Sequence, residues 1–224
     1  MVLTSDTDYA DRLVALQEAR WKRLVNVQAP WHWDLRRQGL GRTLDIGCGI
    51  GRMLRALPPG SVGVDHNELC VQVARERGLE AYTVDEFFSR DSGMFDGFLV
   101  AHVIEHLDPG EGLAVMRSYL DHLRPGGKVL FVCPQERGYA SDPTHVRWTT
   151  GEDLVQLASD LGLDATDWTS FPFPRRMGKV FIYNEFRVLA TKSEGRGVVG
   201  PARRIPQQRT APASHPSLAL DRSE

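Results

Sequence analysis

Three glycines at alternate positions, directly after a short apolar strand signal, constrain this chain more than any other feature. They stand in Leu44-Asp45-Ile46-Gly47-Cys48-Gly49-Ile50-Gly51. Glycine has no Cβ, so it takes backbone angles and close approaches closed to other residues. The chain can therefore turn sharply at a strand end and meet a ligand there. A helix read at 52–57 would follow and offer unpaired N–H groups at its start. About twenty residues beyond Asp45, a second short strand at 61–64 ends at Asp65, where doubly wound folds place an acid that accepts from ribose hydroxyls. A nucleoside-containing ligand across the switch point of a parallel sheet follows. The spacing decides against a dinucleotide. That fingerprint needs glycine at the sixth position from Gly47, and Arg52 is there instead. Asp45 would also repel a pyrophosphate and suits a cationic ligand.

The remaining chain alternates short apolar runs with helical stretches. An amphipathic helix is read at 11–27 on Leu13, Leu16, Leu24 and Val27, broken by Ala29-Pro30-Trp31-His32-Trp33. A helix at 67–77 closes at Gly78, and a strand at 80–84 leads to Asp85. Residues 95–101 are almost continuously apolar, as in a strand buried on both faces. A helix at 112–123, a turn at 124–127, a strand at 128–133 and a helix at 152–161 follow. Two last strands, 168–173 and 180–191, are joined by too few residues for a helical crossover, so they should pair antiparallel. This alternation predicts an α/β chain with a doubly wound, mostly parallel sheet. Residues 1–39 are read as an N-terminal helix and a possible cleft lid, 40–192 as the domain proper. Residues 193–224 form a Pro-, Arg- and Ser-rich tail too poor in apolar groups to order.

A net charge of −2 gives no electrostatic footprint for nucleic acid or an anionic membrane. No run approaches the roughly 18 apolar residues of a membrane span, and residues 1–9 are polar and acidic rather than signal-like. Three cysteines without a CxxC pair give no disulfide framework and no cysteine-based zinc site. The expectation is a cytoplasmic protein.

Five stretches together resemble the class I S-adenosylmethionine-dependent methyltransferases: LDIGCGIG at 44–51, VGVDHN at 62–67, VD at 84–85, FDGFLVAHVIEHL at 95–107 and LRPGGKVLFV at 123–132. They fall in that family's order and spacing over 40–191. The resemblance implies a seven-stranded Rossmann-like sheet whose last strand is antiparallel, with S-adenosylmethionine as cofactor and S-adenosylhomocysteine as product. It implies that Gly47, Cys48, Gly49 and Gly51 cradle the methionine and ribose portion, with Asp45 near the ligand's amino group. Asp65 would hold the ribose hydroxyls, His66 flank the adenine and Asp85 face its amino group. Ala101 and His102 would border the methionine portion and the methyl.

His102-Val103-Ile104-Glu105-His106 also matches an inverted zinc-peptidase pattern. His102 follows directly on a buried strand at the place reserved for the cofactor, so no metal is expected. Glu105 and His106 either pin the following helix or serve the substrate. A second loop, 134–149, carries His145 at a strand's C-terminal edge, where open α/β sheets bind ligands. His145 is a candidate general base or an ordering residue bonded to a carbonyl of its own loop, and His106 is the other candidate base. Trp31-His32-Trp33 could close the cleft or staple the N-terminal helix to the sheet. The function read is methyl transfer to an oxygen or nitrogen of a small molecule, such as a sugar or secondary metabolite, with no nucleic-acid or membrane partner. A methyltransferase acting on RNA or protein, and a catalytically idle scaffold with the same fold, stay open as alternatives.

Overall fold

The structure, a computed structural model, describes residues 29–194. The helix read at 11–27 and the tail from 195 onward lie outside the described residues.

Helix α1 (Ala29–Arg37) precedes β1 (Thr43–Ile46), β2 (Val62–Asp65), α2 (Glu68–Glu76), β3 (Ala81–Thr83), α3 (Val84–Phe88) and β4 (Phe95–Ala101). Then come α4 (Pro109–Tyr119), β5 (Leu123–Pro134), α5 (Glu136–Tyr139), α6 (Gly151–Asp160), β6 (Leu163–Asp164), β7 (Thr169–Phe171) and β8 (Glu185–Lys192). The sheet runs in the order β3-β2-β1-β4-β5-β8-β6, parallel through β5. Strand β8 lies antiparallel to β5. Both β6 and β7 pair with the other edge of β8, at Lys192 and Thr191 for β6 and at 185–187 for β7. They fill one position in two pieces, so the sheet is seven strands wide. The chain winds outward from β1 to β3, then returns to place β4 on the other side of β1. That reversal opens a crevice at the C-terminal ends of β1 and β4.

Alternation along the central strands builds a core on each face. Phe98, Val100, Val129 and Phe131 face one way into a cluster with Leu44, Ile46, Phe186 and Val188. Leu99, Leu130 and Val132 face the other way onto Leu35 of α1, Leu40 and Ala56. Each fully buried Leu or Phe here contributes about 1.5–3 kcal/mol relative to exposure.

Several boundaries differ from the sequence reading, each for a local reason. The helix expected at 52–57 is only a 3₁₀ turn, Leu54–Ala56, because Leu57 is extended ahead of Pro58. No α-helix N-terminus therefore follows the glycine loop. Ala29-Pro30-Trp31-His32-Trp33 opens α1 instead of breaking a helix, with Pro30 in the first turn where its missing N–H costs little. The third strand stops at Thr83, which caps α3 reciprocally with Glu86. Helix α4 starts three residues earlier than the sequence suggests, at Pro109, behind an Asp108/Glu111 capping box. The turn at 124–127 is absorbed into β5 as a register shift against β4. The last strand begins only at Glu185, since residues 180–184 turn instead, with Phe181 N–H on Met177 O and Asn184 N–H on Phe181 O. Among the described residues, no helix is long and apolar enough to cross a membrane.

Gly47 and Gly78 share the left-handed backbone region, at φ 74° and 76°, but differ in surroundings. A Cβ on Gly47 would lie 2.3 Å from Val103 Cγ2, whereas one on Gly78 would meet nothing within 4 Å. Gly78→Ala should therefore cost only the backbone term, about 1–2 kcal/mol. Gly47→Ala should cost about 2–5 kcal/mol, because the stiff Val103 side chain must also move. Urea unfolding of both variants measures this, and equal losses would show that Val103 yields freely.

Candidate active site

At the end of β1 the backbone enters the glycine turn, where Gly47, Gly49 and Gly51 all have positive φ. The N–H groups of Gly47 and Cys48 both donate to Val64 O, at 2.8 and 3.1 Å, fastening the turn to β2. The collisions that forbid a side chain at Gly47 and Gly51 are with Val103 and Leu79, so these two glycines serve the protein's own packing. Cys48 is buried against Gly63 and Leu54. Burial and neighbouring acids hold its thiol well above the usual range, so it is not a nucleophile.

Asp45 is buried, and among the described residues its Oδ2 has no hydrogen-bond partner. Burial, then the nearby charge of Asp65, pushes its carboxyl up to about 7, against one backbone hydrogen bond from Leu54. Such a group lacks a cationic donor. Asp65 is differently placed. Its Oδ2 accepts Gly49 N–H at 2.7 Å and its Oδ1 accepts Asn67 N–H at 2.8 Å, so the carboxylate ties the glycine turn to the end of β2. His66 stands beside it, 3.5 Å from Oδ1, with 55% of its side chain exposed. Of the three acids after β3, Glu86 is committed to its cap and to Arg75, and Asp91 to Gly93 N–H. Asp85 is exposed in the first turn of α3, with no side-chain bond among the described residues.

Across the crevice, β4 ends at Ala101, and His102 adopts φ 60°. For a residue with a Cβ this costs about 1–2 kcal/mol. Two sets of bonds offset it. His102 N–H donates to Val132 O at 2.9 Å, and the ring lies between two carboxylates, Nδ1 to Glu105 Oε1 and Nε2 to Glu185 Oε1, each at 3.2 Å. Partial burial works against the imidazolium, but the hydrogen bonds and charges of Glu105 and Glu185 outweigh it and raise His102 above its ordinary value. The same contacts hold both buried acids ionised below the usual carboxylate range. Glu185 also takes Arg187 at 3.0 Å, and Arg187 pairs with Asp34 of α1. Sequence reasoning missed Glu185, Arg187 and Asp34. The available signal was a pair of charges two apart, on one face of an otherwise apolar strand.

Both His102 nitrogens are thus taken by carboxylates, so the inverted zinc-peptidase pattern does not supply its first ligand. Asp108 caps α4, whereas Glu105 and His106 bond elsewhere. They hold the loop after β5. Glu105 O accepts Val146 N–H at 2.9 Å and Arg147 N–H at 3.2 Å, and His106 Nδ1 lies 3.2 Å from Thr144 O. His145 Nδ1 makes the ordering bond foreseen for it, 2.7 Å from Tyr139 O, and its ring stacks on Tyr139. Its Nε2 lies 3.9 Å from Glu105 Oε1, and the His106 and His145 rings are 4.8 Å apart. Burial holds His106 below its ordinary value, so the ring is neutral near pH 7.

Trp31 of α1 closes over Ala101, His102 and Met53, on a floor of Leu35, Leu99 and Leu130. It packs edge-on to Phe171 and Tyr183. Trp33 faces solvent under Arg37. The aromatic cluster therefore divides, Trp31 lining the cleft and Trp33 facing solvent, and it is Leu35 that anchors the helix to the sheet.

A family model for a methyltransferase domain matches residues 14–168. No curated protein sequence matches. Similar solved structures include an S-adenosylmethionine-dependent methyltransferase from Archaeoglobus fulgidus, with 22% identity, 72% of this chain and 92% of that one covered, and a TM-score of 0.56. Magnesium protoporphyrin IX methyltransferase from Synechocystis PCC 6803 with bound S-adenosylhomocysteine covers 85% and 96%, at 14% identity and a TM-score of 0.59. A plantazolicin methyltransferase in complex with S-adenosylhomocysteine covers 84% and 91%, at 14% identity and a TM-score of 0.56. At these identities the likeness is one of fold.

Asp45 makes a pH prediction. The folded protein keeps this proton up to about pH 7, whereas an unfolded chain loses it near 3.8. Between those values the native state binds more protons, so this group's contribution to stability falls as pH rises and levels off above 7. Asp45→Asn is neutral throughout and should remove that slope, leaving the variant more stable than the parent by a few kcal/mol at pH 8. Parallel wild-type and variant curves of unfolding free energy between pH 4 and 8 would refute the assignment.

Proposed function

We propose that this chain, which belongs to the methyltransferase-domain family and uses S-adenosylmethionine as methyl donor, moves the methyl to an oxygen or nitrogen of a small molecule. The observation that carries the reading is the buried Asp45 Oδ2, without a hydrogen-bond partner among the described residues, beside the glycine turn. An ammonium group fits it, because it would satisfy that oxygen and stabilise the ionised carboxylate. The charges at the other end of the crevice agree. Asp34, Glu185 and Glu105 outnumber Arg187 and protonated His102, and this excess of negative charge favours a cationic ligand.

S-Adenosylmethionine supplies a methyl already activated on a sulfonium. The protein's residues then bind, orient and exclude water. Asp45 would take the amino group, Asp65 the ribose hydroxyls with its remaining lone pairs, and Asp85 and His66 the adenine side. Gly47, Cys48, Gly49 and Gly51 contribute backbone. Ala101 and His102 border the methyl, and Trp31 keeps solvent from the cleft. Holding both reactants in line supplies most of the acceleration in such a transfer. On the acceptor side, His106 or His145 would receive the proton when the acceptor is a hydroxyl. The cleft under Trp31 is small, with His102, Glu185 and Arg187 beside its apolar floor, and this supports a small acceptor.

Calorimetric titration of the full chain with S-adenosylhomocysteine should show one-to-one binding in the micromolar range. Near pH 6.5, binding should release a proton as Asp45 ionises, seen as a dependence of the heat on the buffer's own ionisation enthalpy. Asp65→Asn should weaken binding at least tenfold, equivalent to about 1.4 kcal/mol. A folded, ligand-free protein that takes up no S-adenosylhomocysteine would defeat the proposed cofactor site.

A further inference from the structure

We infer that Glu105, His106 and His145 form a site for a divalent transition-metal cation at the acceptor side of the crevice. One potential ligand atom from each residue lies within 4.8 Å of the others, a spread that modest side-chain rotation closes to a coordination sphere. The chemistry of the set is that of a two-histidine, one-carboxylate site, which leaves positions open for a further ligand.

Its surroundings are those of a prepared site. His145 Nδ1 is engaged by Tyr139 O at 2.7 Å and His106 Nδ1 by Thr144 O at 3.2 Å. A backbone carbonyl can only accept, so in the neutral rings both protons sit on Nδ1. That leaves an Nε2 lone pair on each histidine, the arrangement that orients metal-ligating imidazoles. Glu105 is fully buried, and its Oε1 faces both His102 Nδ1 at 3.2 Å and His145 Nε2 at 3.9 Å. Its Oε2 accepts from Cys133 Sγ at 3.3 Å. A carboxylate oxygen held by His102 on one side keeps a lone pair for a cation on the other. The loop carrying His145 is fastened in turn, since Asp142 accepts Thr144 N–H and Oγ1–H, and Glu105 O accepts Val146 and Arg147 N–H.

This set is not the inverted zinc-peptidase pattern, because His102 serves as Glu105's neighbour and His145 comes from another loop. The cation's role in catalysis rests on the methyltransferase reading: its open positions would take the acceptor's oxygen or nitrogen and lower the pKa of a bound hydroxyl. In that case the two histidines act on the acceptor through the metal and not as free bases.

The test uses untagged, EDTA-treated full-length protein titrated with Co²⁺ and followed by its visible d–d absorption. One equivalent should bind with bands of a low-coordinate nitrogen- and oxygen-ligated site, and Zn²⁺ should displace it. His106→Gln and His145→Gln should each weaken Co²⁺ binding about 10–100-fold or more, whereas His122→Gln, which packs on Phe87 and Phe88 away from the cluster, should leave it unchanged. S-Adenosylhomocysteine affinity, measured on the same variants, reports that they are folded. Absence of saturable Co²⁺ binding, or binding that survives both histidine substitutions, overturns the metal site and leaves the histidines as free bases. Failure to bind S-adenosylhomocysteine by the parent protein would instead strike the cofactor reading, and the Co²⁺ result would stand apart from it.

Discussion

A chain of charges from Asp34 through Arg187, Glu185 and His102 to Glu105 holds the functional end of this molecule together. Buried charges survive only when paired, and removing one partner typically costs about 3–5 kcal/mol because the other is left unmatched. The five residues join four elements: Asp34 is on α1, Arg187 and Glu185 are on β8, His102 is at the end of β4, and Glu105 is in the 3₁₀ turn Ile104–His106 after it. The chain therefore fixes where the covering helix sits, where the antiparallel strand registers, and where the β5 loop is moored through Glu105. Arg187 also lies 3.9 Å over the Phe171 ring, which joins β7 to the same assembly.

The left-handed His102 follows from this arrangement. A residue with a Cβ in that region stores strain, and its ring here is oriented by two carboxylates from elements far apart in sequence. Strain retained at one position while the surrounding bonds are satisfied is the pattern of a site in which stability is given up for geometry. The Asp45 oxygen on the opposite side of the crevice, unpartnered among the described residues, is a second such sacrifice. The two flank the switch point, one a carboxyl lacking a cation, the other a cation already saturated with carboxylates.

The alternation of parallel strands with helices was legible because it depends on local signals, whereas the order of the strands across the sheet does not. Unbroken apolar runs such as 95–101 mark buried strands, and the last two runs do pair antiparallel, although residues 172–184 rather than a short turn connect them. Boundaries were less legible where capping competed with periodicity. Asp108 with Glu111 starts α4 ahead of its apolar face, and Pro58 limits the segment after the glycine turn to a 3₁₀ turn. The glycine turn itself was visible, but not that Val103 and Leu79 fill the space over Gly47 and Gly51.

The sequence by itself determined the sheet, the glycine turn at its switch point and the acid at the end of β2, since strand periodicity and Cβ sterics act over a few residues. Tertiary structure alone decided which charges meet. His102 and Glu185 are 83 residues apart, Asp34 and Arg187 are 153 apart, and Thr144 comes to His106 from 38 residues away. Nothing in the local pattern specifies such pairs. The burial that makes them strong, and the loss of water that makes them necessary, arises only once α1, β8 and the β5 loop have closed over the same crevice.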